Sequence, residues 1–210
     1  MSLRNRTGIF GGTFNPLHLA HIHVAQRALD QYELSEVVFV PSGTPPHKEV
    51  ADGVSREDRY EMVRRTIAPF DRLSLSRVEM DRAGPSYTID TIEEMKGRFP
   101  KGICFIVGAD LLLEIDTWKD PGLLLESVPF VIAPRDEIGR EAFLCSPFDS
   151  AEIHFLDMEE VDLSSTWVRE KVRRGEDLLQ SVPAEVAKYI NEHKLYQTGK
   201  LTKIGERDRR

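Results

Sequence analysis

Gly8-Ile9-Phe10-Gly11-Gly12-Thr13-Phe14-Asn15-Pro16-Leu17-His18-Leu19-Ala20-His21 reads as the end of a buried strand, a glycine-rich turn and the opening of a helix. Gly11 and Gly12 admit a positive φ, or let the backbone approach a ligand with no Cβ in the way. Asn15 is suited to cap the helix and Pro16 to its first position, where no amide hydrogen is needed. The free amides of a helix start carry roughly half a positive charge and form an anion site. His18 and His21 are three apart, so on a helix they share a face beside that site. The stretch predicts phosphate chemistry.

The same alternation continues along the chain. Leu19, Ile22, Val24, Ala25, Ala28 and Leu29 fit a helix from His18 to about Tyr32, and Val37-Val38-Phe39-Val40 is a second buried strand ending at Pro41. Ser55 with Asp58 resembles a capping box for a helix reaching about Ile67. Leu73 to Ser76 is a short strand, and Ser86 is placed to cap a helix through about Arg98. Ile103 to Val107 and Phe130 to Ala133 are continuous apolar runs, and Ile153 to Leu156 is a weaker edge strand. Ser164 or Ser165 caps a helix closed by Gly175, and a last helix runs from Pro183 to about His193. Apolar strands alternating with helices predict an α/β fold. It is a Rossmann-like, doubly wound parallel sheet with helices on both faces and a small C-terminal helical cap. Residues 1–197 form the expected domain, its helical part at about 164–197, with a flexible tail over 198–210.

In such sheets ligands sit beyond the carboxyl ends of the strands, at the switch point. The polar clusters fall there: Gly11 to His21, Ser42 to Lys48, Gly108 to Asp110, and Arg135, with Ser164 to Arg169 at a further helix start.

The chain has 210 residues and a formal net charge of −7, which argues against broad nucleic-acid or anionic-membrane binding. No apolar run approaches the ~20 residues needed to cross a bilayer. Cys104 and Cys145 show no close pairing, so a cytoplasmic setting is expected. A homo-oligomer is compatible with the sequence. His18 and His21 are a poor zinc pair, since no acidic or cysteine partner completes a ligand set.

Gly11 to His21 resembles the first signature of the bacterial nicotinate mononucleotide adenylyltransferases, in the (H/T)xGH nucleotidyltransferase superfamily. Leu163-Ser164-Ser165-Thr166-Trp167-Val168-Arg169 resembles the second, ISSTxxR. Pro45-Pro46-His47-Lys48, Pro85-Ser86-Tyr87-Thr88, Gly108-Ala109-Asp110 and Thr117-Trp118 resemble elements between them. Ala20 departs from the pattern, standing where the signature usually has glycine.

The resemblance implies transfer of an adenylyl group from ATP, with Mg²⁺, to the 5′-phosphate of nicotinate mononucleotide. The substrate phosphate is the nucleophile, so catalysis reduces to alignment and charge neutralisation. His18, His21, Lys48 and Arg169 are the implied catalytic residues. ATP is implied to lie on Gly11, Gly12, Thr13, Phe14, His18, His21, Gly108, Asp110, Arg135, Ser165, Thr166 and Arg169. Phe14, Asn15, Lys48, Tyr87, Thr88 and Trp118 are implied for the mononucleotide. Competing readings are another transferase of the superfamily, acting on nicotinamide mononucleotide, phosphopantetheine or an alcohol phosphate, and a non-catalytic nucleotide sensor.

Overall fold

The structure is a computed structural model and describes residues 2–44, 51–135 and 137–197. Six strands form one sheet: β1 (Thr7–Gly12), β2 (Glu36–Pro41), β3 (Leu73–Leu75), β4 (Ile103–Gly108), β5 (Phe130–Ala133) and β6 (Ile153–Phe155). Their order is β3-β2-β1-β4-β5-β6, and every neighbouring pair is parallel. The apolar runs in β2, β4 and β5 are almost wholly buried, as strands covered on both faces must be. After β3 the chain returns to the other side of β1, which puts the switch point between β1 and β4.

Side-chain alternation along β1 divides the core. Phe10 faces a cluster with Ile22, Ala25 and Leu29 of α1 (Leu19–Gln31) and Val63 and Ile67 of α2 (Arg56–Ile67). Ile9 faces the opposite cluster, built on α3 (Thr88–Lys96), α4 (Ala109–Leu113) and α5 (Pro121–Ser127). A third cluster joins α6 (Ser165–Arg174) and α7 (Ala184–Glu192) to Met62 of α2, so the C-terminal helices lie beside the first face.

The helix starts at Ser55 and Ser164 follow the sequence. Ser55 Oγ accepts the Asp58 N–H at 3.1 Å, and Ser164 Oγ accepts the Trp167 N–H at 3.1 Å. Gly175 closes α6 with φ 67°, the left-handed cap expected of it.

Three expectations are corrected. The N-cap of α1 is His18 rather than Asn15, because the carbonyls of Asn15 and Pro16 are held by α6 in the turn before the helix. The N-cap of α3 is Tyr87 rather than Ser86, whose N–H is drawn to Thr44 O at 3.0 Å. Leu19, counted with the apolar face of α1, lies at the surface, and Ala20 is buried instead.

Gly11 and Gly12 do not supply the positive φ expected of them, and the space a Cβ would take is filled by protein rings. Neither is among the positive-φ residues, whereas Phe14, two places on, has φ 48°. A Cβ on Gly12 would lie 3.0 Å from the Phe14 ring, and one on Gly11 3.3 Å from the Phe105 ring. Gly8 is tighter still: a Cβ there would meet Ile106 Cδ1 at 2.8 Å and the side chains of Leu34 and Val37 at 3.1 Å. Gly8→Ala should therefore cost about 1–3 kcal/mol as overpacking, read as a lowered urea midpoint with an unchanged slope.

Candidate active site

A cavity of about 460 Å³ opens over the carboxyl ends of β1, β4 and β5. From the first motif Gly11, Gly12, Thr13, Phe14, Asn15, His18, Ala20 and His21 line it. Gly108 and Asp110 enter from the end of β4, Arg135 from the end of β5, and Ser165, Thr166 and Arg169 from the start of α6. Residues distant in sequence thus share one wall at the switch point. Its volume suits a ligand of nucleotide size.

The histidines sit ring against ring, centroids 3.7 Å apart and tilted by 33°. The His18 backbone N–H donates to His21 Nδ1 at 3.2 Å, which leaves the His21 proton on Nε2. His18 Nδ1 is buried without a hydrogen-bond partner among the described residues. Burial, then the neighbouring His21 and Arg135, pushes His18 far below its ordinary range. Burial and then Arg135 bring His21 from 6.5 down to about 3, against a small opposing effect of its contact with the His18 backbone. Both rings are therefore neutral at pH 7, and each can offer one N–H to an anion.

The turn in front of α1 is held from outside. Arg59 is 1% exposed, and its guanidinium donates to Thr13 O at 2.8 Å and Gly43 O at 3.1 Å, linking the turns after β1 and β2. Arg169 donates to Asn15 O at 2.8 Å and Ser165 Oγ to Pro16 O at 2.9 Å. Arg169 is itself fixed by Asp52, 3.2 Å from its Nε, and by Thr166 Oγ1, which accepts a bond at 3.1 Å. Asp52 also takes Arg173 at 2.6 Å. Arg135 donates to Leu163 O at 3.0 Å, which ties the end of β5 to the second motif.

Arg59, Asp52 and Tyr196 were not singled out by the sequence. Arg59 is one of four arginines in α2, and nothing in the pattern separates it from its solvent-facing neighbours. Tyr196 lies beyond both motifs; its hydroxyl donates to Asn15 Oδ1 at 2.7 Å.

Tyr87, Thr88 and Trp118 are not among the described residues lining this cavity. Tyr87 and Trp118 pack on the core of the α3–α5 face, with Lys119 Nζ 5.1 Å from the centre of the Tyr87 ring. Thr88 is the first residue of α3. Lys48 and its neighbours in 45–50 lie outside the described residues.

Comparison with known proteins agrees with this geometry. A family model described as cytidylyltransferase-like matches residues 9–171. A curated protein of Clostridium tetani, "Probable nicotinate-nucleotide adenylyltransferase", is 35% identical over 91% of this chain and 99% of its own. Another of that name, from Rubrobacter xylanophilus, is 38% identical over 96% of each chain. The fold matches that of the Plasmodium falciparum nicotinic acid mononucleotide adenylyltransferase solved with NaAD, with a TM-score of 0.78. That match covers 93% of this chain and 99% of that one at 19% identity.

The histidines set a pH dependence. Because His21 titrates near 3 when folded and near 6.5 as a free group, the unfolded chain binds more protons between those values. Stability must therefore fall as pH drops through that window. His21→Gln removes the His21 contribution and leaves the part of the His18 shift that comes from burial and Arg135. Urea midpoints at pH 7, 5.5 and 4 should show the parent losing about 1–2 kcal/mol more than the variant, less than the full shift because the ring is half-buried.

Proposed function

The chain belongs to the cytidylyltransferase-like family and, within it, to the nicotinate-nucleotide adenylyltransferases, and from that membership we propose how its site works. The reaction is transfer of the adenylyl group of ATP to the 5′-phosphate of nicotinate mononucleotide, giving nicotinate adenine dinucleotide and pyrophosphate. The observation that carries the reading is the stacked pair His18 and His21 at the β1–β4 switch, in one cavity with Arg135 and Arg169.

The 5′-phosphate of the mononucleotide attacks the α-phosphorus of ATP, one P–O bond forms, and the bond to pyrophosphate breaks. No protein nucleophile is needed. The site's task is to hold two anions in line and to meet charge on the α-phosphate and the leaving group. His18 and His21, with the backbone of Gly11 to Phe14, are assigned to the α-phosphate. Lys48, Arg135, Ser165, Thr166 and Arg169 are assigned to the β- and γ-phosphates. Asp110 is assigned to the ribose. Its carboxylate lies over Gly108, where an added Cβ would stand 2.5 Å from Oδ1.

A resident metal cage does not fit these residues. Among the described residues no group of three or more His, Cys, Asp or Glu could hold an ion. Asp110 is the single carboxylate among the described residues of the cavity wall. Mg²⁺ is accordingly assigned to the substrate, arriving on the polyphosphate oxygens of ATP.

For the acceptor, Phe14 and Asn15 are assigned to the mononucleotide beside the cavity, and Tyr87, Thr88 and Trp118 to its ring. Thr88 opens a nine-residue helix, whose free amides favour the carboxylate of nicotinate over the neutral amide of nicotinamide. The Ser86 N–H bond to Thr44 O brings that helix start to the loop after β2. The functional unit is residues 1–197, with 164–197 as its helical part.

Pyrophosphate release from ATP tests the reading. Purified protein should turn over nicotinate mononucleotide well ahead of nicotinamide mononucleotide. His18→Ala should lower kcat about a hundredfold, the loss of one preorganised donor at ~3 kcal/mol. Equal rates with the two acceptors would remove the assignment at Thr88, and no release with any acceptor would remove the reaction.

A further inference from the structure

The ladder between β1 and β2 runs in register to Gly12 and Pro41, and a bond from the Ser42 N–H to Gly12 O at 2.9 Å carries it one step further. The next carbonyl on each side, Thr13 O and Gly43 O, goes to one side chain. Arg59 donates to the first at 2.8 Å and to the second at 3.1 Å, from different nitrogens of its guanidinium. The residue is buried beneath the two turns and is not part of the cavity wall.

A buried guanidinium is a costly filler. Arg59 Nε has no hydrogen-bond partner among the described residues, and an apolar side chain would avoid the loss of hydration. What the guanidinium adds is a fixed span. Its nitrogens are held in one rigid plane, so two carbonyls bonded to different ones keep a set separation.

That span lies between two parts of the site. From Thr13 the chain leads to Asn15 and Pro16, pinned by α6, and then to the ring pair of His18 and His21. Gly43 is closed on its other side against Glu79, whose carbonyl oxygen stands where a Cβ would go. The Glu79 carboxyl accepts from the Thr91 hydroxyl of α3 at 2.8 Å, and Thr44 O accepts the Ser86 N–H at 3.0 Å. Both bonds tie the loop after β2 to α3, the helix whose start is assigned to the acceptor.

In-line attack needs the acceptor phosphate close to the α-phosphorus, and a misplacement of about 1 Å can cost roughly a hundredfold in rate. We propose that Arg59 is a positioning residue that fixes the gap between the phosphate turn after β1 and the acceptor side formed by the loop after β2 with the start of α3. The inference rests on the reaction and the acceptor placement assigned above, and adds to them a residue that touches no substrate.

Arg59→Lys keeps the charge and loses the fork, because a single ammonium cannot hold both carbonyls at the guanidinium spacing. Gly43→Ala disturbs the same gap from the loop, and Arg59→Gln serves where the lysine variant does not fold. The experiment reads kcat per folded molecule, the urea midpoint, and calorimetric Kd for ATP and for nicotinate mononucleotide, each bound alone. Arg59→Lys should lower kcat about 30- to 100-fold with each Kd within about threefold, the mark of lost alignment with binding kept. Gly43→Ala should show the same split, and the two losses should not multiply in the double variant. A purely structural role would lower the urea midpoint and leave kcat per folded molecule within about threefold of the parent, which would overturn the proposal. Loss of affinity with kcat kept, or losses that multiply, would overturn it as well. A parent that turns over nicotinamide mononucleotide instead would count against the acceptor assignment alone, since the same split is then read with that substrate. A parent that releases no pyrophosphate with any acceptor would remove both.

Discussion

The carbonyls of Thr13, Asn15 and Pro16 each take a hydrogen bond from a side chain far away in the chain: Arg59, Arg169 and Ser165. A buried carbonyl left without a donor costs about 1–3 kcal/mol, so a turn that departs from regular structure beside a cavity needs such partners. The rest of the arrangement follows from supplying them. Arg59 comes from α2 and joins the turns after β1 and β2. Arg169 and Ser165 come from α6, which explains why the C-terminal helices pack beside the first face of the sheet instead of continuing it. Arg169 could not be buried there alone. Asp52 sits against it at 3.2 Å and is shared with Arg173, which also reaches Glu170 at 3.0 Å, so each buried guanidinium of the cluster has a carboxylate beside it.

Much of this was legible in the chain, for reasons particular to each element. Continuous apolar runs such as Ile103 to Val107 admit few alternatives to a strand covered on both faces, and the caps at Ser55 and Ser164 are chemistry local to four residues. The convergence of His18, Arg135 and Arg169 was predictable because parallel strands deliver their carboxyl ends to one edge. The misplaced helix start at Asn15 shows the limit of that logic. A cap is read from neighbours in sequence, but Asn15 is held by Arg169 and Tyr196, both more than 150 positions away. Arg59 was hidden by the opposite problem: it is the buried member of a helix rich in exposed arginine, and only the turn it meets distinguishes it.

The electrostatics of the cavity turn on how its cationic groups are kept from repelling one another. The chain carries a net charge of −7, yet Arg135, Arg169 and two histidines meet in the cavity wall. Four cations in so small a space would repel one another strongly, and two of them would lose most of their hydration. The arginines cannot release a proton, so they are anchored to Leu163 O, Asn15 O and Asp52. The histidines can, and Arg135 together with burial makes them do so. The stacked pair is thus the part of the wall that stays neutral at pH 7. Negative charge brought beside the pair would act against the effect of Arg135 on both rings. Two fixed guanidinium groups beside two neutral imidazoles repel one another less than four cations would. Two further arginines in place of the histidines would make the empty pocket costly to fold, because neither could lose its charge.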